Sequence, residues 1–421
     1  MVTIDDLYYL KSLFERVPHF ILVPSLKNIN EILQDMIKNL ESAYSYIHSF
    51  HYPQNMQTAV VLQKRLNEYE KIITCLRQAA FQRLEGYSTT QSSFFFAIED
   101  DFTSKRVYKA IDILVTHYLK CYFLKDGLEN LITITFFGDN PTYNIDIYEN
   151  LAIVQIPKVD ATRCRFWACL GHESVHERFF HTNLCASHVA LEKKVVQEIT
   201  AIGEKTFKVV IPELAKKQFE EIICDLSALI ISGLPDLMTL ISFSAIPKLE
   251  ADKIRKHPPL DTRFYYMYRY LSTLKSADYP EYNRSLEICK SSWDHIKNDL
   301  KTLFPMTDEE QTYICAYNKL IDSHFEDLLE LAKSLILINS NEIFSAFSWY
   351  KGAEAYQQLI TGVPLGDLKL SITELFNLTW IKRIGSFESV GVNNKSSEDF
   401  LVSHAFERKL FEEFVNKVIE T

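Results

Sequence analysis

The chain of 421 residues is 47% hydrophobic and 24% charged, an ordinary globular composition that excludes a largely disordered protein. Its formal net charge of −10 comes without a long basic stripe, which argues against a nucleic-acid-binding protein. Only 11 glycines are present and no glycine-rich phosphate-binding motif occurs, so nucleotide-binding folds of that kind are disfavoured as well.

The first predicted region, residues 1–90, has a helical pattern. Apolar side chains at Leu62, Leu66, Tyr69 and Ile73 recur every three or four residues, as on the buried face of an amphipathic helix. The N-terminus starts acidic and lacks a continuous apolar run, so we expect no signal peptide. A polar stretch at 88–93 marks the end of this region.

The second predicted region, 91–277, opens with a small sheet between about residues 94 and 157. Short runs rich in β-branched and aromatic residues predict its strands, and a helix is predicted at 104–123. The predicted strands lie at 94–98, 131–137, 143–147 and 151–156.

A helix is predicted next, at about 161–180, with Asp160 as its N-cap. It carries an H-E-x-x-H pattern from His172 to His176. Residues four apart share a helix face, so the two histidines can bind one zinc ion through their imidazole nitrogens. Glu173 lies beside them, where its carboxylate can take a proton from a water on that ion. The alternative is a pair of helix histidines that make ordinary hydrogen bonds.

A catalytic zinc site uses three protein ligands and leaves a fourth position for water, so a further ligand is required. The best candidate is Glu221, on a second predicted helix at about 213–232. Asp225 follows one turn later, where it can hydrogen-bond a ligand imidazole and fix its tautomer. Glu220 is the fallback ligand, and a solvated acidic helix face is the alternative interpretation.

The third predicted region, 278–421, shows helical periodicity with almost no strand signal. The most apolar stretch, 226–246, contains Gly233, Pro235 and Asp236, so we expect a buried helix, a turn and a second helix there, and no stable membrane span. The eight cysteines are scattered without a C-x-x-C pair, which favours free thiols and a cytoplasmic location. The fold class expected is mainly α with a small β-sheet (α+β).

A family resemblance rests on the order of three motifs. G-H-E-x-x-H is followed by E-x-x-x-D, and then by His257-Pro258-Pro259 and Arg263. This order resembles the gluzincin metallopeptidases, most of all the branch with the CaaX-prenyl endopeptidases and HtpX-like proteases, over about 151–267. The resemblance implies a zincin-like core flanked by helical N- and C-terminal regions. The chain departs from that branch in lacking convincing transmembrane helices, so membrane substrates are not implied.

For individual residues, the resemblance implies that His172, His176 and Glu221 bind one Zn²⁺ ion and that Glu173 is the general base. It also implies that His257 and Arg263 lie near the active site. His257 is the first candidate for stabilising the oxyanion, the alternative being a turn residue before Pro258, and Arg263 is expected to brace Glu221 or its helix.

The strand before the active-site helix is expected, by analogy with zincin-like folds, to be an open edge. Ala152, Val154 and Ile156 would then pair with an extended peptide substrate. An interior strand is the alternative.

The expected function is that of a soluble zinc-dependent endopeptidase, which hydrolyses peptide bonds with a zinc-activated water and Glu173 as general base. Its partner is a peptide or protein substrate. The alternative is a latent or non-catalytic zincin-like binding or scaffold protein whose cleft is covered by helical regions, through a regulatory partner or self-inhibition by the C-terminal helices.

Overall fold

A computed structural model gives the fold of the chain. It describes residues 74, 75, 78, 101–122, 132–138, 143–148, 151–157, 160, 163–181, 186–207, 212–244, 257–303, 306–337, 343–364, 367–388 and 410–420. Helices make up 81% of these described residues and the strands form one small sheet. This confirms the predicted class, mainly α with a small β-sheet. The strand predicted at 94–98 and nearly all of region 1–90 lie outside the described residues.

The chain divides into two compact units, which meet in sequence between Thr162 and Arg163. The first unit holds the sheet and the helix residues up to Thr116, and the second holds His117–Leu124 and everything from Arg163 onward. The division falls inside the range 91–277, and the three regional ranges derived from the sequence stay predictions.

The first unit contains a three-stranded sheet and the residues of helix α1, Asp101–Tyr122, up to Thr116. Its strands are β1 Ile132–Gly138, β2 Asn144–Tyr148 and β3 Leu151–Pro157, in the spatial order β1-β3-β2. β3 pairs in parallel with β1 and antiparallel with β2. The hydroxyl of Thr135 on β1 donates to Asp112 on α1, which ties this helix to the sheet.

The edge-strand prediction is wrong, because β3 is the central strand and both of its edges are hydrogen-bonded to neighbours. Ala152, Val154 and Ile156 are all buried at 0% exposure, so they are core residues and not a docking surface for substrate. The run 151–156 is almost continuously apolar, and such a run is typical of a strand that is covered on both faces.

The described part of the second unit is mainly helical. A short 3₁₀ helix, Cys164–Ala168, leads into a series of longer helices, and residues 410–420 are helical too. The helices are α2 Cys169–His181, α3 Ala186–Phe207, α4 Pro212–Ser232, α5 Leu234–Ser244, α6 Leu260–Thr273, α7 Pro280–Leu303, α8 Asp308–Ser334, α9 Ala346–Ile360 and α10 Ile372–Glu388.

Helix α4 forms the centre of the second unit. Every residue from Gln218 to Ser232 is buried, and the helix packs against α2, α3, α5, α6 and α8. A helix that is enclosed on all sides must pair any acidic side chain it carries, because an unpaired buried charge is strongly unfavourable. The three acids of α4 in this stretch therefore have to meet basic or metal partners inside the unit.

The apolar stretch 226–246 is broken at Gly233, between α4 and α5, as the sequence predicted. Gly233 has φ of 68°, a left-handed conformation, and its amide donates to the carbonyl of Leu229 to end α4. In the part of the chain that the structure describes, no helix is both long enough and apolar enough to cross a membrane.

We expect Gly233→Ala to lower the free energy of unfolding by roughly 2–5 kcal/mol, from left-handed strain and overpacking together. An added Cβ would lie 2.0 Å from Cγ of the Phe344 ring. The matched control is Gly362→Ala, because Gly362 also has a positive φ of 100° but nothing lies within 4 Å of its Cβ position. The control should cost about 1–2 kcal/mol. Equal shifts in the urea midpoints of both variants would contradict the steric part of this prediction.

Candidate metal centre

The H-E-x-x-H motif lies on α2, as the sequence predicted, although the helix begins differently. Asp160 is not its N-cap: its carboxylate accepts a hydrogen bond from the hydroxyl of Tyr143, and the chain enters α2 through the 3₁₀ helix Cys164–Ala168. The indole of Trp380 donates to the carbonyl of Arg165 in this turn. Gly171 permits close packing just before the motif, because a Cβ there would lie 3.2 Å from the ring of Tyr118.

The three predicted zinc ligands come together in the second unit. Nε2 of His172 lies 3.1 Å from Nε2 of His176, so the two nitrogens meet across one turn of α2 while the ring planes lie at 75° to each other. The carboxylate of Glu221 on α4 lies beside both, 3.3 Å from Nε2 of His172 and 3.5 Å from Nε2 of His176. One ligand atom from each residue can be chosen so that all three lie within 4.8 Å of one another.

The far nitrogen of each imidazole is held by a second carboxylate from α4. Nδ1 of His172 lies 3.0 Å from Asp225, and Nδ1 of His176 lies 2.6 Å from Glu220. A carboxylate accepts a hydrogen bond from Nδ1–H, so each neutral ring keeps its hydrogen there and presents the Nε2 lone pair to the centre. The predicted contact of Asp225 with a ligand imidazole is therefore present, on His172.

Asp225 is itself fixed by two residues of α6. Arg263 donates to it twice, from Nε at 2.7 Å and from Nη2 at 2.6 Å, and the hydroxyl of Tyr266 donates to the same carboxylate. Burial opposes ionisation of Asp225, but Arg263 and His172 outweigh it and hold the pKa of Asp225 well below its ordinary value. Arg263 thus braces the helix that carries Glu221, as one form of the sequence prediction had it, and does so through Asp225.

His257 lies just before α6 and contacts the site from its more exposed side. Its Nδ1 is 2.7 Å from Oε2 of Glu221, and its side chain is 44% exposed, compared with 13% for His172 and 10% for His176. Its main-chain carbonyl accepts a hydrogen bond from Gln218 of α4, and Gln218 accepts one from Tyr313 of α8. Partial burial lowers the pKa of His257 despite its bond to Glu221.

The carboxylates around the centre favour a positive charge there. Burial disfavours protonation of His172, but hydrogen bonds to Asp225 and Glu221 outweigh it and raise the pKa of His172 to about 10. Burial likewise opposes ionisation of Glu221, but His172 and His257 hold its pKa far below the ordinary value. Three acceptor groups that converge at 0–13% exposure repel one another unless a cation or protons lie between them.

The residues fit a single zinc-like ion. A tetrahedral zinc with bonds of about 2.0–2.1 Å spaces its ligand atoms about 3.3 Å apart. The two Nε2 atoms are 3.1 Å apart and Oε2 of Glu221 lies 3.3 Å from that of His172, which is close to this value. The 3.5 Å contact with His176 is made by the other oxygen, Oε1, and one ligand atom from each residue lies within 4.8 Å of the other two. Two imidazole nitrogens with one carboxylate also form the donor set of catalytic zinc sites, which leaves a coordination position for water.

Glu173 lies half-buried on α2, one residue after His172. Two contacts of the centre were not anticipated from the sequence, the bond of Glu220 to His176 and that of Tyr266 to Asp225. Tyr266 follows Arg263 by three residues on one helix, and this spacing could have indicated a shared target.

Comparisons with known proteins do not extend this description: no protein-family model, no curated protein and no solved structure matches the chain. The interpretation of the centre therefore rests on its own geometry.

Proposed function

We propose that this protein is a zinc-dependent endopeptidase in which His172, His176 and Glu221 hold one zinc ion. The observation that carries the proposal is the convergence of two Nε2 atoms and a buried carboxylate at 3.1–3.5 Å, with both Nδ1 atoms on acids. The order of the motifs, which resembles that of the gluzincin metallopeptidases, supports the same function.

Bound zinc would supply the positive charge that makes water a nucleophile near neutral pH and polarises the scissile carbonyl. Glu173 follows His172 on α2, and we assign it to take the proton of the attacking water and pass it to the leaving amine. Its half-buried position limits competing contacts with bulk solvent.

His257 is assigned to the mouth of the site. In the neutral ring, the Nδ1 proton serves Glu221 and orients that carboxylate. A neutral imidazole has only one N–H to donate, so His257 would stabilise an oxyanion through Nε2 only when its ring is protonated.

A latent or non-catalytic scaffold protein is the second candidate, and the position of α8 favours it. This helix belongs to the predicted C-terminal region and packs against α3 and α4. Its Tyr313 donates a hydrogen bond to Gln218, which in turn donates to the main-chain carbonyl of His257. The ligand side chains are at most 13% exposed. In this version, α8 or a regulatory partner controls access of a peptide or protein substrate to the centre.

The proposed location is the cytoplasm. The support is that the described cysteines form no disulfide with one another, which suits a reducing compartment. They are Cys75, Cys121, Cys164, Cys169, Cys224, Cys289 and Cys315. The formal net charge of −10 agrees with the proposal that the partner is a protein and not a nucleic acid.

The test combines metal analysis with cleavage of a peptide library by the purified full chain. We expect about one zinc per chain, loss of cleavage on treatment with a chelator, and recovery when zinc is restored. Bound zinc without any cleavage would favour the latent or scaffold function. A chain that binds no zinc would overturn both.

A further inference from the structure

Two adjacent acids of α4 contact His176 from opposite sides. Glu220 and Glu221 are 4% and 0% exposed, and both face His176. Glu220 contacts Nδ1 at 2.6 Å, while Glu221 lies 3.5 Å from Nε2 of the same ring. Neighbouring residues on a helix point about 100° apart, so one ring can meet both only if it lies between them. Each ring nitrogen of His176 therefore has a carboxylate beside it, and the ring lies between the two acids.

The two carboxylates that hold ligand rings by Nδ1 differ in their charge balance. The charge of Asp225, which holds His172, is matched by the bidentate contact of Arg263. Within the described part of the chain, the ion pair of Glu220 is with His176 and not with a lysine or arginine. Among the described residues, Glu220 therefore brings a negative charge to the centre that no lysine or arginine pairs with.

The acids of the enclosed stretch of α4 carry more charge than their fixed cation. Glu220, Glu221 and Asp225 carry three negative charges, and the arginine paired with them in the described part of the chain, Arg263, carries one positive charge. A bound cation would offset this excess, which is favourable in a buried site where net charge is costly.

We propose that Glu220 is a positioning residue for His176 and adds negative charge that favours a bound cation at the centre. This inference rests on the proposed metal site and adds a second carboxylate–histidine clamp to that formed by Asp225 and His172. It also changes the role of Glu220 from fallback ligand to partner of a ligand.

The probe is zinc itself, titrated into the metal-free full chain in competition with a chromophoric chelator. We expect Glu220→Ala to weaken zinc binding by about 10–100-fold, the usual effect of removing the partner of a ligand histidine. Glu220→Gln keeps an oxygen acceptor for the Nδ1 proton but loses the charge, and it should fall between this variant and the wild type. Glu213→Gln, an exposed acid on the same helix, is the matched control and should bind like the wild type.

A second readout does not depend on catalysis or on metal affinity. In ¹⁵N-histidine-labelled protein, the Nδ1 proton of His176 should resonate far downfield because it is shared with a carboxylate, and Glu220→Ala should remove that signal. The Glu220→Gln variant keeps the test open if the alanine variant fails to fold.

The outcomes separate this inference from the proposed function. Wild-type zinc affinity in both Glu220 variants would overturn the role of Glu220 and leave the metal site intact. Loss of zinc in Glu220→Gln but not in Glu221→Gln would make Glu220 the ligand, and would also overturn it. A wild-type chain that binds no zinc would overturn the proposed function, and this inference with it.

Discussion

Replacing Glu173 by glutamine is expected to lower kcat for peptide hydrolysis by about 10²–10⁴-fold while the protein keeps its zinc. The amide has nearly the shape of the carboxylate but cannot accept the proton of the attacking water. Glu173 is not among the three residues whose ligand atoms converge, so the metal site should not change. The measurements are kcat on a cleaved peptide and the zinc content of the same preparation.

The control for the Glu173 variant is Glu204→Gln, which makes the same charge change at an exposed position on α3. It should retain wild-type kcat and zinc. Loss of zinc together with activity in Glu173→Gln would show that the residue supports the metal site and is not the base. Unchanged kcat would move the base to another residue.

Replacing Arg263 by methionine is expected to lower the free energy of unfolding by about 3–5 kcal/mol, as for other buried ion pairs that lose one partner. Asp225 is only 3% exposed, and without Arg263 its charge would be held by His172 and Tyr266 alone. The measurement is urea unfolding of the metal-free protein, which keeps zinc binding out of the result.

Two further variants test the cause of the Arg263 effect. The double variant Asp225→Asn/Arg263→Met removes both charges and should recover part of the loss, because no unpaired buried charge remains. Lys290→Met breaks an exposed ion pair with Asp294 and should cost at most about 0.5 kcal/mol. A cost for Arg263→Met no larger than this control would contradict the buried-pair argument.

The sequence was sufficient to predict the helix of the H-E-x-x-H motif, the helix of Glu221 and the three residues that the structure brings together. The third-ligand helix was placed at about 213–232 and is Pro212–Ser232, because its apolar periodicity and its ends are local features. His172 and His176 face each other because residues four apart share a face of any helix. A distant carboxylate was required by the chemistry of zinc, and Glu221 is the one that the structure brings to both rings.

The order of the strands could not be predicted in the same way. A strand's neighbours are chosen by tertiary packing, and an apolar run such as 151–156 can lie at an edge or in the centre of a sheet. Similarly, Glu220 and Glu221 are adjacent on a helix that is buried on every side, so hydrophobic periodicity did not indicate which side of His176 each would face. The partner of Arg263 was likewise decided by how α6 packs on α4.

Helix α4 concentrates three acids in its enclosed stretch, and this has a consequence for how the protein is made. The ribosome delivers α2 first, then α4, and Arg263 last, so the acids exist in the nascent chain before their fixed cation does. If zinc is the ion that the centre takes up, its supply during synthesis would favour the mature form, since a ligand that binds only the native state stabilises it by mass action. The half-life of the protein in the cell would then be longer when more zinc is available.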